Sequence, residues 1–430
     1  MKKIFFFLVC LTFWVLPWHG ILVTTLQCKF GVDLSVFRFW KEGMILLFLL
    51  IGILSGLKDK ILLKRGMTKI NLLIWFIFLY VFICLLYIYI PHFHPEASSF
   101  LGFRYDIFFL LAFLAGYMLD IKLHNVKTLL KWVFWTTSVI VAVFLLWYVF
   151  FDIWTTVTIF WFSSQLSVFD PYGCLSFSQN IAGNHRLQAT FWWPIRYSIY
   201  LVITYFILLG AFIDAKISTR KKYIVSIIWT FLVLLSIFFS YSKTSYIGFL
   251  LGVIVFLIMG WKVFMQDAFS KKYLKYAIIV TLCLGMLWMY MYRDLFLHIW
   301  SMLKRFENLI FSFELLRNNI FWYGLGVAGP ASMIATHSHY FEPFLPENWY
   351  IQVWLETGVF GSFVFVSILW LIGERLLKTI WKEKRYYSIG LFCAFICLCG
   401  MALFTHSFEE AATSYLLFFL IGVQFKNITQ

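Results

Sequence analysis

Long apolar runs separated by short polar segments dominate the chain. Because a helix needs about 20 apolar residues to cross a bilayer, we predict about twelve transmembrane helices. The apolar segments are 4–26, 43–57, 70–90, 103–121, 129–151, 193–213, 223–240, 245–264, 276–292, 350–372, 388–405 and 411–425. The second segment is short, and the first can form two half-helices.

The pattern predicts an all-α polytopic membrane protein with two larger loops. The predicted regions are the N-terminal helices 1–151, a first loop 152–192, central helices 193–292, a large loop 293–349 and C-terminal helices 350–430. Both loops contain Pro, Gly, Asn and His, which lipid-facing helices use sparingly. They are therefore the expected location of any site exposed to water.

Composition excludes an ordinary soluble domain. The chain is 62% hydrophobic and 13% charged, whereas soluble domains are roughly 45–50% apolar and about 25% charged. So large an apolar excess must face lipid. The start of the chain, Lys2 and Lys3 before an apolar run, is similar to a signal peptide, but no small-x-small cleavage site follows. We therefore predict an uncleaved first helix.

The net charge of +15 is a topology signal. Basic residues concentrate in the segments 58–69, 122–131, 216–222, 262–275 and 375–385, and they are sparse in 91–102, 152–192 and 293–349. The positive-inside rule places the basic set in the cytoplasm, and an even helix count places both termini there. This charge suits anionic lipid headgroups and does not indicate a nucleic-acid partner.

The eight cysteines give no metal motif. Six lie in apolar segments, where we expect them to act as packing residues: Cys10, Cys84, Cys283, Cys393, Cys397 and Cys399. Cys28 and Cys174 fall in predicted external segments, where the sequence neither predicts nor excludes a disulfide between them.

Arginines near the outer helix ends are the first candidates for chemistry, because a guanidinium stays charged and binds phosphate oxygens with two donors. Arg186 precedes the sixth apolar segment, with Arg196 further along, and Arg317 precedes a Gly-x-Gly turn. The alternative for Arg186 is an interfacial Trp/Arg anchor. Lys243, in the turn between segments seven and eight, either assists phosphate binding or is a solvated lysine.

Acidic and histidine side chains supply the second group of candidates. Glu347 and Asn348 mark where the large loop returns to the membrane; Glu347 is a candidate general base or an acid in the first turn of a helix. Glu356 lies at membrane depth, where an ionisable group indicates function. His337 and His339 are candidate metal ligands or, more plausibly, face a substrate. Arg104 and Asp106 can pair with each other.

Four segments, taken in order, resemble motifs of the O-antigen ligase and O-antigen polymerase (Wzy-type) superfamily of bacterial membrane glycosyltransferases. Residues 186–194 resemble R-x-x-G-T-F-x-x-P, with Ala189 in place of glycine. Residues 240–243 resemble S-x-S-R, with Lys243 for arginine, and 319–326 resemble N-P-x-x-x-G-x-G without the proline. Residues 347–361 resemble [H/E]-N-x-Y-L followed by E-x-G-x-x-G.

The resemblance implies a GT-C-like membrane glycosyltransferase in a bacterial inner membrane, with no cofactor or metal. It implies a donor glycan on undecaprenyl diphosphate, a glycan acceptor and a chain-length regulator as partner. Arg186 and Arg317 would recognise the diphosphate, and Glu347 would act as base. Glu347 stands where ligases of the family have histidine, which favours a polymerase. The remaining predicted substrate-binding residues are Arg104, Arg196, Lys243, His337, His339, Asn348 and Glu356.

Three alternatives remain open at this point. An O-antigen or protein O-glycan ligase belongs to the same superfamily. A transporter, either a flippase for lipid-linked oligosaccharides or a small-solute carrier, also suits a twelve-helix chain, although we find no internal repeat of the kind that transporters often show. A structural membrane subunit would leave the loop motifs unexplained.

Overall fold

The computed structural model describes residues 2–31, 39–58, 69–88, 96–151, 180–181, 184–216, 218–264, 299–318, 321, 323–334 and 345–429. Helices account for most of this part of the chain. They are α1 (Lys2–Val15), α2 (His19–Thr24), α3 (Trp40–Lys58), α4 (Lys69–Ile88), α5 (Glu96–Met118), α6 (Leu123–Phe150), α7 (Pro194–Ile213), α8 (Thr219–Ser240), α9 (Lys243–Phe264), α10 (Ile299–Asn318), α11 (Gly329–Ile334), α12 (Trp349–Glu383), α13 (Tyr386–Met401) and α14 (Ala411–Thr429). Two short antiparallel strands, β1 (Asn180–Ile181) and β2 (Asn184–His185), precede α7.

The described residues form an all-α polytopic membrane protein, as predicted. They include nine helices that are long and apolar enough to cross a bilayer, and α13 is a shorter apolar helix. Several of these helices leave large apolar side chains exposed, such as Trp75 at 68% and Trp370 at 74%, which a bilayer would cover. The predicted short segment 43–57 is helix α3, and the predicted segment 276–292 lies outside the described residues.

The chain divides into two compact units. Unit 1 comprises Met1–Met44, Ile121–Leu297 and Leu376–Met401, and unit 2 comprises Ile45–Asp120, His298–Arg375 and Ala402–Gln430. Each unit therefore draws on distant parts of the sequence.

In unit 1, α13 packs against α7 and α9. Asp214, just after α7, holds the start of α13 by accepting the backbone N–H groups of Tyr386 at 3.1 Å and Tyr387 at 2.9 Å. Burial raises the pKa of Asp214, while these hydrogen bonds and the charges of Arg385 and Lys222 oppose the rise. The carboxylate thus satisfies N–H groups that a helix start leaves unpaired.

In unit 2, α5 packs along α14 and also contacts α4. Phe109 of α5 lies at the centre of an aromatic cluster, with ring centroids 4.8 Å from Phe418 and 5.1 Å from Phe408. Such offset and edge-on ring pairs add to the stability that burial provides. Because Phe408 lies in the turn between α13 and α14, the cluster packs α5 against that turn.

The first apolar segment is broken, as the sequence allows. Pro17 lies in a 3-10 turn, Leu16–Trp18, that separates α1 from α2. Because proline has no N–H and crowds the preceding turn, it interrupts the α-helical hydrogen-bond ladder. A π-helical turn, Thr25–Lys29, follows α2.

Helix α12 is kinked at Gly358, whose φ of 68° and ψ of −177° are not helical. The predicted uninterrupted span 350–372 therefore consists of a short first part before Gly358 and a long second part that runs to Glu383. The kink frees the carbonyl of Leu355, which accepts the N–H of Tyr323 at 2.8 Å. A Cβ at Gly358 would lie only 1.3 Å from the carbonyl oxygen of Phe321, so the kink requires glycine.

The predicted large loop 293–349 contains a 20-residue helix, α10, that the hydropathy pattern did not predict. Leu316 near its end packs in an apolar cluster with Val327, Ile351 and Leu355. The cluster ties α10 to the first part of α12. Alternating charged and apolar residues along α10 hide it from a search for continuous apolar runs.

We predict that Gly358→Ala costs more than about 4 kcal/mol of unfolding free energy, because the added methyl overlaps a carbonyl and strains the backbone. Thermal unfolding of the purified protein in detergent would measure this. Gly260→Ala in α9 is the control, since nothing lies within 4 Å of its added Cβ. Equal stability of the two variants would contradict the kink.

Candidate functional site

Arg186 is a buried cation in unit 1, only 5% exposed. Its Nε donates to the carbonyl oxygen of Ser240 at 2.8 Å, and Nη2 lies 3.5 Å from the carbonyl oxygen of Tyr241. Both carbonyls belong to the turn between α8 and α9, where Tyr241 adopts a left-handed φ of 51°. The two backbone carbonyl groups of this turn therefore position the Arg186 guanidinium.

The segment after Arg186 is fixed on both sides by backbone contacts. Leu187 N–H donates to the carbonyl of Phe239 at 2.8 Å. Thr190 Oγ1 donates to the carbonyl of Pro17 at 2.7 Å, while its own carbonyl accepts the N–H of Ile21 at 3.0 Å. The broken first helix and the α8–α9 turn thus hold one rigid segment.

Ala189 within this segment has a φ of 50°. The left-handed region costs a non-glycine residue roughly 1–2 kcal/mol, whereas glycine adopts it without this steric cost.

Lys243 is half-buried and is the first residue of α9. The serines around it form a directional chain, in which Ser242 and Ser245 hydroxyls lie 2.9 Å apart and Ser245 and Ser198 hydroxyls 2.7 Å apart. Ser198 donates to the carbonyl of Ile195 at 2.9 Å, which ends the chain. A cation is disfavoured at a helix N-terminus by about 0.3–1 kcal/mol, so helix stability does not explain Lys243.

Arg196 lies on aromatic rings. Its guanidinium carbon is 5.8 Å from the ring centroid of Trp192 and 5.9 Å from that of Trp193. Cation–π contacts of this kind position an arginine at a membrane boundary without a carboxylate partner being required. Trp192 and Trp193 thus contact Arg196, not Arg186.

A second polar cluster in unit 1 was not predicted. Trp40 Nε1–H donates to His19 Nδ1 at 3.0 Å, and Lys41 Nζ lies 3.1 Å from His19 Nε2 and 3.5 Å from Glu42 Oε1. The side chains of Lys41 and Glu42 are each 5% exposed. Burying ionisable groups is costly unless they are paired, and here they pair with one another.

In unit 2, Glu356 lies just before the kink of α12 and is fully buried. Its Oε1 accepts the N–H of Gly326 at 3.2 Å. Gly326 has a φ of 78°, and a Cβ there would lie 2.0 Å from the carbonyl oxygen of Ser98 in α5. The predicted Gly-x-Gly turn is thus a close backbone contact between the loop and α5 that delivers a hydrogen bond to Glu356.

Asp106 of α5 faces Glu356, and the two carboxyl groups are close enough to share a hydrogen bond. Asp106 is also fully buried. Two ionised carboxylates about 4 Å apart would repel by roughly 4 kcal/mol at an effective dielectric constant of about 20. The predicted Arg104–Asp106 pair is wrong, because residues two apart on a helix point in different directions; Arg104 is half-buried, with its guanidinium 5.4 Å from the ring centroid of Tyr105.

A third carboxyl group, Glu409, lies in the 3-10 turn Ser407–Glu409 between α13 and α14. Gln352, one helical turn before Glu356, donates from Nε2 to Glu409 Oε1 at 3.3 Å. His406 Nδ1 lies 3.9 Å from the same oxygen. The Asp106–Glu356–Glu409 set is hereafter the carboxyl cluster.

Asn348, not Glu347, caps α12. Its Oδ1 accepts the N–H groups of Tyr350 at 3.0 Å and Ile351 at 3.2 Å, as an N-cap asparagine does. Glu347 precedes the cap, is half-buried and has a left-handed φ of 51°. The alternative of a first-turn acid at Glu347 is therefore wrong, and the strained backbone there is the kind found at functional sites.

The predicted site residues fall in both units. Arg186, Arg196 and Lys243 belong to unit 1; Arg104, Glu347, Asn348 and Glu356 belong to unit 2, together with Arg317, an exposed residue in the last turn of α10. His337 and His339 lie outside the described residues. Among the described residues, no group of three or more His, Cys, Asp or Glu side chains is placed to hold a metal ion.

Four of the cysteines predicted to pack in apolar segments are buried, and Cys399 is half-buried. Cys10, Cys84, Cys393 and Cys397 are free and buried. The Cys397 thiol donates to the carbonyl of Gly248 at 3.1 Å. The side chain of Cys28 and the whole of Cys174 lie outside the described part of the chain.

No protein-family model matches the chain, and no curated protein is similar to it. Inference about function therefore rests on the side chains and backbone conformations described above.

We predict that Ala189→Gly stabilises the protein by about 1 kcal/mol, because glycine adopts the left-handed conformation without steric cost. Thermal unfolding in detergent would measure the gain. Ala394→Gly in the middle of α13 is the control and should destabilise by about 1 kcal/mol or more. Destabilisation by both substitutions would contradict the assigned conformation of Ala189.

Proposed function

We propose that the protein is a polymerase that joins undecaprenyl-diphosphate-linked oligosaccharide repeat units into O-antigen or capsular polysaccharide. In this proposal it lies in a bacterial inner membrane with both termini in the cytoplasm, and the reaction takes place at the periplasmic face. The alternating charge of the predicted loops supports that orientation. The proposed partners are a lipid-linked donor glycan, an acceptor glycan and a chain-length regulator.

The observation that carries the proposal is the backbone conformation at two glycine positions of the family motifs. Ala189, where the family pattern has glycine, adopts a left-handed φ of 50°. Gly358, the first glycine of E-x-G-x-x-G, has a φ of 68° and leaves no room for a side chain. Loose motifs can match by chance, but chance gives no reason for these residues to adopt the conformations that glycine favours.

The electrostatics of unit 1 suit a diphosphate. Arg186 is a buried guanidinium positioned by carbonyl groups, and Lys243 places a second cation at the N-terminus of α9. An anion bound there would offset the unfavourable interaction between Lys243 and the helix dipole. Arg317, exposed in the last turn of α10 in unit 2, is proposed to bind diphosphate from the family resemblance alone.

In the proposed reaction, an acceptor hydroxyl oxygen bonds to the anomeric carbon of the donor sugar as the bond to the diphosphate oxygen breaks. The diphosphate leaves with the bonding electron pair, and stabilisation of the charge that develops on it is proposed for Arg186 and Arg317 from the family resemblance alone. Glu347 takes the hydroxyl proton. Its half-buried position beside the cap of α12 supports this role.

A transporter coupled to protons is the second candidate. The carboxyl cluster favours it, because ionisable side chains buried inside membrane helices often belong to proton pathways. A ligase is disfavoured by Glu347 in the position where ligases of the family have histidine.

We expect Arg186→Lys to reduce polymer yield tenfold or more, because a lysine cannot reproduce the planar two-donor contact with a diphosphate. Gel analysis of surface polysaccharide from cells with matched protein levels would measure it. Arg220→Lys, at an exposed position in the first turn of α8, is the control and should leave yield unchanged. A full ladder from the Arg186 variant would rule out the diphosphate role.

Deletion of the gene distinguishes the three candidate functions. A polymerase predicts loss of the long ladder, with a single repeat unit still attached to its acceptor. A ligase predicts loss of every attached unit while polymer accumulates on the lipid carrier. An unchanged ladder would contradict both and favour the transporter.

A further inference from the structure

The carboxyl groups of Asp106 and Glu356 lack ordinary hydrogen-bond donors on the sides where they meet. Three carboxyl oxygens have no N–H or O–H partner within the described part of the chain: both oxygens of Asp106 and Oε2 of Glu356. Oε1 of Glu356 is already occupied by the N–H of Gly326. Each of the two carboxyl groups is fully buried, so bulk water does not serve them in place of a donor.

A carboxyl group donates a hydrogen bond only when it carries a proton. The facing pair can therefore form a hydrogen bond when one proton lies between the two groups. One carboxyl group then donates, and the other accepts as a carboxylate. We propose that Asp106 and Glu356 bind a single shared proton, which exchanges with the outside through Glu409 and His406. This proton site does not depend on the proposed polymerase function.

The groups facing the pair support a single shared proton. Tyr80 and Cys84 of α4 lie close to it and are fully buried, and both are neutral when they carry their ordinary protons. Glu409 supplies a further carboxyl group from the α13–α14 turn. Two carboxylates and no proton would concentrate negative charge in a dry interior at high cost.

A route for exchange runs along the same side of unit 2. The Gln352 amide connects α12 to Glu409 through a 3.3 Å hydrogen bond, and its Oε1, fully buried, has no partner in the described residues. Gln352 itself lies one helical turn before Glu356 in α12. His406 Nδ1 lies 3.9 Å from Glu409 Oε1, and the His406 side chain is 12% exposed.

Infrared spectroscopy of the purified protein tests the proposal without any substrate. We expect a protonated-carboxyl band at neutral pH that is lost in both Asp106→Asn and Glu356→Gln, because each amide keeps the hydrogen bond without the shared proton. Asp214→Asn is the control, a carboxyl-to-amide change in unit 1 at a side chain that accepts two backbone N–H groups, and should retain the band. Absence of the band from the wild type, or its survival in both variants, would overturn the shared proton.

Transfer into D2O tests the exchange route. The band should shift as the shared proton is replaced by deuterium, and Glu409→Gln should slow this shift at least tenfold while Asp214→Asn leaves it unchanged. A shift that Glu409→Gln does not slow would overturn the route. Because these readouts need no polysaccharide, their failure is distinct from an unchanged ladder in the deletion strain, which would count against the proposed polymerase alone.

Discussion

Backbone and ionisable groups inside a bilayer must be satisfied by the protein itself, and the rest of this structure depends on that constraint. Wherever a helix breaks, a specific group takes up the freed hydrogen bond. At Gly358 the N–H of Tyr323 pairs with the carbonyl of Leu355, and at the α8–α9 turn Arg186 pairs with the carbonyl of Ser240. At these two breaks the backbone offers donors and acceptors to partners outside its own helix, because the helical hydrogen-bond ladder is interrupted there.

The helices were predictable because lipid-facing helices need continuous apolar sequence, which a chain can be searched for directly. Helix α10 was missed for the same reason: polar residues interrupt its apolar side, and it packs through Leu316 on the protein. The break at Pro17 was foreseeable from proline chemistry. The kink at Gly358 was not, since its cause is the approach of Phe321 from a distant loop.

Candidate site residues were predictable only where a single charged side chain, lying near or within an apolar segment, indicates function by itself. Arg186 and Glu356 stand out because charges near or within apolar segments are costly and therefore informative. Asp106 carried the same signal, but pairing it with the nearby Arg104 hid its partner, which lies on another helix. Glu409 and the His19–Lys41 contact depend on tertiary packing, and no local sequence pattern reveals such contacts.

We propose above all that the protein joins lipid-linked glycan units. The most direct measurement is reconstitution of the purified protein in vesicles with repeat units on undecaprenyl diphosphate, followed by gel analysis of the products. The account predicts a ladder of lengthening chains, with one undecaprenyl diphosphate released for each link formed. Repeat units that remain single, or that cross the bilayer without being joined, would contradict it.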